Sequence, residues 1–165
     1  MKRQQDATAR PIMSTETPPR RQWRDRAADR DELAASQQGV GAARRLVLVL
    51  WAADPSQPER TAAPFVYALA ARALEIEVEI HFTAASVRWL FEGVAERAHT
   101  DQAQTKTVLD FIREASAAGA KIFACAMALH EHGRGEALIP ECDGVAGAAT
   151  VMGATVAADT RTIVF

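Results

Sequence analysis

Residues 121–129 read Lys121-Ile122-Phe123-Ala124-Cys125-Ala126-Met127-Ala128-Leu129, and they decide the predicted fold. The mainly apolar residues 121–124 follow Gly119 and precede a helical pattern, which predicts a short buried strand with Cys125 at its carboxyl end. In an open α/β sheet, that end borders the crevice where ligands bind. A helix beginning just after the strand would also favour the thiolate over the thiol. We therefore predict that Cys125 is the reactive residue; the alternative is a small core residue.

Further strands are predicted from the chemistry of their side chains. Residues 46–51 form a continuous apolar, branched run, which is typical of a strand covered on both faces in a parallel sheet. Residues 76–82 alternate apolar side chains with acidic ones, which predicts one wet face and a place at or near the sheet edge. His81 is then interpreted as a surface partner of those carboxylates. Residues 162–165 predict a terminal strand, and Leu138 marks a fifth candidate.

Helical patterns separate these strands. The predicted helices run from near Thr61 to about Leu74, from Thr83 to Gly93, over residues 105–118, and from an Asp143 cap through Val145 to Val156. The first helix has a predicted inward stripe of Val66, Leu69, Ala70 and Ala73. Strands alternating with helices predict an α/β fold, with a parallel sheet of four to five strands and helices on both faces.

Composition and charge exclude several classes of protein. The chain has 165 residues, 48% of them hydrophobic, which is enough for one domain with a core. Residues 1–45 contain ten Lys/Arg and six Asp/Glu, whereas residues 46–165 contain nine and fifteen. The acidic balance of the predicted domain disfavours nucleic acid as a partner. No apolar run approaches the roughly 20 residues of a membrane span, and no secretory signal is recognised. A soluble, cytoplasmic protein is therefore expected.

The chain divides at about residue 43. Residues 1–43 are rich in Arg, Gln, Asp, Ser and Pro, and they predict a disordered or weakly structured tail. This tail is interpreted as a solvated segment, with a docking arm as the alternative, and Met13 competes with Met1 as the start. Residues 44–165 are predicted to form a single α/β domain.

Residues downstream of Cys125 are candidates for supporting roles. His130 and Arg134 would stabilise its thiolate if they lay close to it; the alternative is a polar helix end. A metal site is not predicted, because His130 and His132 are two residues apart and diverge on a helix. Cys142 lies between Glu141 and Asp143, whose charges would raise its pKa. It is a poor nucleophile that could still resolve a disulfide or take sulfur from Cys125, and the alternative is an exposed thiol without a role.

Four stretches resemble one known family. They are LVLVLWAADPSQPERTAAPFVYALAARAL at 46–74, IEVEIHF at 76–82, IFACAMAL at 122–129 and DGVAGAATVMGATVAADTRTIVF at 143–165. Together they are similar to the DsrE/DsrF-like family of sulfur-relay and related proteins, over about residues 45–165. The sequence departs from the family at Ser86, where members often have glycine.

The resemblance implies a three-layer α/β/α domain with a mostly parallel five-stranded sheet, assembled as a homotrimer or homohexamer. It also implies that Cys125 carries sulfur as a persulfide. The leading hypothesis is thus a sulfur transferase or carrier, with sulfur donor and acceptor proteins as partners and no cofactor, metal, nucleic acid or membrane. The alternative is a non-catalytic oligomeric module that binds a small ligand or a protein partner.

Overall fold

The structure, a computed structural model, describes residues 43–101 and 103–165. The predicted tail of residues 1–43, and the choice between Met1 and Met13, lie outside this part of the chain except for Ala43.

A five-stranded sheet forms the centre of the domain, in the order β4-β3-β2-β1-β5. Every neighbouring pair of strands is parallel, so the predicted α/β class and its three layers are confirmed. The sheet is entirely rather than mostly parallel. Its strands are β1 Arg45–Leu50, β2 Glu77–Phe82, β3 Lys121–Cys125, β4 Gly144–Ala146 and β5 Thr160–Val164.

Within the described residues, four α-helices flank the sheet: α1 Ala62–Ala73, α2 Val108–Ala117, α3 Ala126–His132 and α4 Ala148–Thr155. Short 3-10 helices span Pro58–Arg60, Ala84–Leu90 and Ala95–Arg97, so the predicted second helix is a 3-10 helix. Helix α2 begins after Thr107, which forms a reciprocal capping box with Asp110. Such a pair satisfies two backbone N–H groups that the first turn would leave unpaired.

The main core lies between one face of the sheet and helices α1 and α2. Leu48, Ile80 and Ile122 lie side by side on β1, β2 and β3, and all three are fully buried. Phe65 of α1 packs over this face, with its ring centroid 6.2 Å from that of Phe82. Each such side chain contributes about 1.5–3 kcal/mol through burial, so this face supplies much of the stability of the domain.

Strand β2 lies at the centre of the sheet, so the predicted edge position is wrong. The acidic side chains of β2 have a basic partner on β1, and Glu79 is half-buried, whereas Glu77 is exposed. Arg45 of β1 contacts Glu77 at 3.2 Å and Glu79 at 3.7 Å. The Nε2 atom of His81 lies 3.2 Å from Glu79, as expected for a carboxylate partner. His81 is nevertheless only 2% exposed, and its ring stacks on Phe123 at 5.2 Å, so it is not a surface residue.

Helix α1 starts next to Thr61, as predicted, with Thr61 as its N-cap, but it buries a different stripe from the predicted one. Its buried residues are Pro64, Phe65, Ala68 and Ala71, whereas Val66 is exposed. The two stripes are adjacent on the helix, and the larger Phe65 determines which of them faces the core.

The fifth strand and the last helix also differ from the prediction. Leu138 forms only an isolated antiparallel bridge with Phe91 and belongs to no strand of the sheet. The strand that the prediction placed at Leu138 is instead β4, a few residues further along the chain. Asp143 does not cap a helix; its carboxylate accepts hydrogen bonds from the backbone of Ile122 at 2.8 Å and from Lys121 Nζ at 2.9 Å. These bonds hold β4 beside β3, so Val145 lies in a strand and α4 begins only at Ala148.

In the part of the chain that the structure describes, no helix is both long and apolar enough to cross a membrane.

Candidate functional site

Three neighbouring strands end at the same level, and a cavity lies beyond their ends. Leu50, Phe82 and Ala124 are aligned in register near the carboxyl ends of β1, β2 and β3. The chain then continues through Trp51, Thr83 and Cys125, and these three residues line a cavity of about 290 Å³. Its other lining residues are Ala84, Met127, Ala128, Glu131, Ala148, Val151 and Met152. This is the crevice in which open α/β sheets bind their ligands.

Cys125 is the last residue of β3 and also the N-cap of α3, as its position in the sequence predicted. Its backbone is extended, with φ −71° and ψ 124°, which turns the chain from the strand into the helix. Within the described residues, its side chain makes no capping hydrogen bond to that helix. The half-buried thiol therefore faces the cavity without a competing backbone partner.

The walls of this cavity are mainly apolar. Trp51, Met127 and Met152 stand around it with exposed fractions of 65%, 73% and 58%. Large apolar side chains that are exposed together are unusual on a protein surface, and such a patch is typical of a binding site.

Buried hydrogen bonds fix the segments that carry these walls. Trp89 is fully buried, and its indole Nε1 donates to the carbonyl oxygen of Ala53 at 2.6 Å, which ties down the loop after β1. Thr83 and Ser86 donate their hydroxyls to the carbonyl oxygen of Leu50 at 2.8 and 2.7 Å. Ser86, where the sequence departs from the family pattern, is fully buried and anchors the 3-10 helix to the end of β1.

A second and larger cavity, of about 640 Å³, adjoins the first through Glu131, which lines both. The second cavity contains most of the charge in this region. Its charged or ionisable lining residues, besides Glu131, are Arg88, Glu92, Arg97, His132, Arg134 and Glu136.

Neither of the residues predicted to stabilise the Cys125 thiolate, His130 and Arg134, lines the cavity of Cys125. Arg134 lines the larger cavity and does not line that of Cys125. His130 is exposed at the end of α3, and it lines neither of the two. Within the described residues, no cation lines the cavity around Cys125.

Cys142 is separated from that cavity. It is half-buried beside β4, where its thiol donates to the carbonyl oxygen of Gly144 at 3.4 Å. Burial is the main reason why its pKa is raised, and the neighbouring charge of Asp143 adds to the effect. The predicted direction is therefore confirmed, although the main cause is burial rather than the carboxylates.

No group of three or more His, Cys, Asp or Glu side chains within residues 43–101 and 103–165 could hold a metal ion.

A third cavity, of about 280 Å³, lies on the opposite face of the sheet from the main core. It is lined by Arg45, Glu79, His81 and Phe123 from the strands, and by Thr150, Gly153 and Ala154 from α4. Burial lowers the pKa of His81, and the hydrogen bond that His81 donates to the carboxylate of Glu79 opposes this shift. The Nδ1 atom of His81 is buried without a hydrogen-bond partner among the described residues.

Sequence reasoning placed Cys125 correctly at the end of a strand but missed the walls of its cavity. Trp51 ends the apolar run of β1, and a parallel sheet places the ends of adjacent strands together. That signal could have identified Trp51. The position of Met152 could not be found in this way, because it depends on where α4 crosses the sheet.

The model of the DsrE/DsrF-like family matches residues 46–165, which includes all of the sheet apart from Arg45. No curated protein matches the sequence.

Proposed function

This chain belongs to the DsrE/DsrF-like family, and we propose that it carries sulfur as a persulfide on Cys125. The observation that carries the proposal is the position of Cys125, at the carboxyl end of a central strand and inside a small apolar cavity.

The proposed reaction is an exchange of sulfur between two thiols. The thiolate of Cys125 attacks the outer sulfur of a donor persulfide, R–S–SH, and the bond between the two donor sulfurs breaks. The donor leaves as the thiolate R–S⁻, and Cys125 becomes Cys–S–SH. An acceptor thiolate then attacks the outer sulfur in the same way and restores the thiolate of Cys125. Neither step consumes an oxidant or a reductant, since each S–S bond that breaks is replaced by another.

The cavity supports this role in two ways. Its apolar walls give the carbon group of a small organic persulfide apolar contacts beside Cys125. Cys142 does not line the cavity, and its raised pKa keeps it protonated at neutral pH. One cysteine therefore carries the sulfur.

Assembly of several copies is part of the proposal. Helix α4 and the residues around it, 144–158, contain no charged side chain. Within the described residues, none of the eight residues of α4 is buried, and Val156 at its end is 72% exposed. An uncharged helix of this kind is normally covered. We propose that other copies of the chain cover it, as a homotrimer or a homohexamer.

A transfer assay tests the carrier function. The protein is incubated with an organic persulfide, freed of donor by gel filtration, and mixed with an excess of a small thiol. Persulfide formed on the thiol is then trapped by alkylation and counted. Wild type and Cys142→Ala should deliver sulfur, and Cys125→Ala should deliver none. Equal delivery by Cys125→Ala and wild type would contradict the proposal.

The second candidate is a non-catalytic binding module, which the apolar walls of the cavity favour. In that case an apolar fluorescent probe should bind equally well to wild type and Cys125→Ala, and no sulfur should reach the acceptor thiol.

A further inference from the structure

The charges around Cys125 bear on which persulfides could reach it. Among the described residues that line its cavity, Glu131 is the only charged one. The remaining walls are apolar apart from Thr83 and the thiol itself. A negatively charged donor would therefore meet a carboxylate and find no cation to replace the water that it loses. Removing a charge from water without a partner is unfavourable.

The cations of this region lie elsewhere. Arg88, Arg97 and Arg134 line the larger cavity on the other side of Glu131, together with the carboxylates of Glu92 and Glu136. Three carboxylates stand among these three arginines, and Cys125 does not line that cavity. The arginines therefore offer no partner to an anion at Cys125.

The size and surface of the Cys125 cavity indicate the remaining class of donor. Its volume of about 290 Å³ is close to the lower limit of ordinary small-molecule pockets, roughly 300 Å³. Met127, Val151 and Met152 present hydrocarbon and thioether groups to an occupant. Thioether side chains are flexible and adapt to apolar groups of different shapes.

We propose that Cys125 exchanges sulfur with low-molecular-weight organic persulfides whose carbon group is apolar and uncharged, and that it discriminates against anionic sulfur compounds such as thiosulfate. This inference rests on the proposed carrier function. The atoms balance as in the exchange above: R–S–SH gives its outer sulfur to Cys125 and leaves as R–S⁻, with R an apolar group seated between Trp51, Met127 and Met152.

Thiol-specific reagents of matched chemistry test the selectivity without any persulfide. A methanethiosulfonate transfers its R–S group to a thiolate and releases methanesulfinate. Benzyl methanethiosulfonate is apolar and uncharged, whereas 2-sulfonatoethyl methanethiosulfonate is an anion. Rates are measured on Cys142→Ala and divided by those of 2-mercaptoethanol, which removes the intrinsic reactivity of each reagent. The normalised benzyl rate should exceed the normalised sulfonate rate by about tenfold or more, the scale of discrimination by a small apolar pocket.

Two glutamate substitutions distinguish the effect of a carboxylate beside Cys125 from that of a carboxylate in the larger cavity alone. Glu131→Gln should raise the sulfonate rate severalfold and leave the benzyl rate unchanged. Glu136→Gln is the matched control, because Glu136 lines only the larger cavity, and neither rate should change. Equal normalised rates for the two reagents, or a faster sulfonate rate, would overturn the proposal.

Loading Cys125 with sulfur distinguishes a failure of the proposed selectivity from a failure of the proposed carrier function. If Cys125 takes sulfur from thiosulfate as fast as from benzyl persulfide, the selectivity is wrong and the carrier function stands. If Cys125 reacts with neither methanethiosulfonate, its cavity is closed to donors, and the selectivity fails together with the carrier function.

Discussion

The thiol of Cys142 donates a hydrogen bond to the carbonyl oxygen of Gly144, two residues further along the chain, at 3.4 Å. The sulfur is half-buried there, and burial raises its pKa above the ordinary value. Cys125, by contrast, lies in an open cavity and makes no capping bond within the described residues. The two thiols of the chain therefore differ in both access and chemistry.

We expect Cys125 to alkylate at lower pH than Cys142. Only the thiolate reacts with iodoacetamide, so a raised pKa shifts the reaction of Cys142 to higher pH. The measurement follows labelling of Cys142→Ala and Cys125→Ala, each of which keeps one cysteine, from about pH 5 to pH 9. Earlier reaction of Cys142, or a Cys125 that stays inert until the protein is denatured, would show that Cys125 is a core residue.

The stability of the fold should depend on His81 near neutral pH. Burial lowers its pKa below the ordinary 6.5, although Glu79 opposes the shift. On acidification from about pH 7.5 to pH 5.5, the unfolded chain takes up a proton before the folded one does. The free energy of unfolding should therefore fall over this range. In His81→Gln that decrease should be smaller, as measured by urea denaturation at each pH.

The exposed His130 provides the control for this prediction. His130→Gln should retain the pH dependence of the wild type. The carboxyl groups whose pKa is lowered have ordinary values of 3.8, as for Asp110 and Asp143, or 4.5, as for Glu136, and they act below this range. If both histidine variants keep the same pH dependence as the wild type, burial of His81 does not contribute to it.

The uncharged helix α4 should mediate assembly. Light scattering at micromolar concentration should give a mass three or six times that of the 17.8 kDa chain. Val156→Asp places a charge at the exposed end of the helix and should shift the protein towards the monomer. Leu74→Asp changes an equally exposed apolar residue at the end of α1 and should leave the mass unchanged. A wild-type mass of one chain would rule out assembly.

The predicted tail should be dispensable for folding. A shortened protein that starts at Ala43 should keep the melting temperature of the full chain within about two degrees. Contacts with the tail that contributed 1 kcal/mol to the free energy of unfolding would, when removed, lower the melting temperature by roughly 2–8 degrees. Differential scanning calorimetry of the two proteins provides the comparison. A larger decrease would show that residues 1–42 stabilise the domain.

The alternation of strands and helices was sufficient to predict the fold class, and the continuous apolar run of β1 indicated a parallel sheet. The position of β2 was not predictable in the same way. Its glutamates indicated a wet face, and Glu77 is indeed exposed, but Glu79 is half-buried in the sheet beside Arg45 and His81. A period of two in the sequence shows only that the two faces of a strand differ; it does not identify what covers each face.

The site was predictable only at the level of single residues. Cys125 could be placed because it follows a strand and precedes a helix. The separation of Arg134 from it could not be foreseen, because Glu131 lies between two cavities formed by segments far apart in the sequence. The raised pKa of Cys142 was foreseen from Asp143, yet its main cause, burial, requires the position of β4.

Intact-mass spectrometry after incubation with an organic persulfide and removal of the donor tests the central claim most directly. The wild type should gain the mass of one sulfur atom, and treatment with a thiol reductant should remove it. Cys142→Ala should gain the same mass, and Cys125→Ala should gain none. A wild type that gains no sulfur, or a gain that persists in Cys125→Ala, would contradict the assignment of Cys125 as the sulfur carrier.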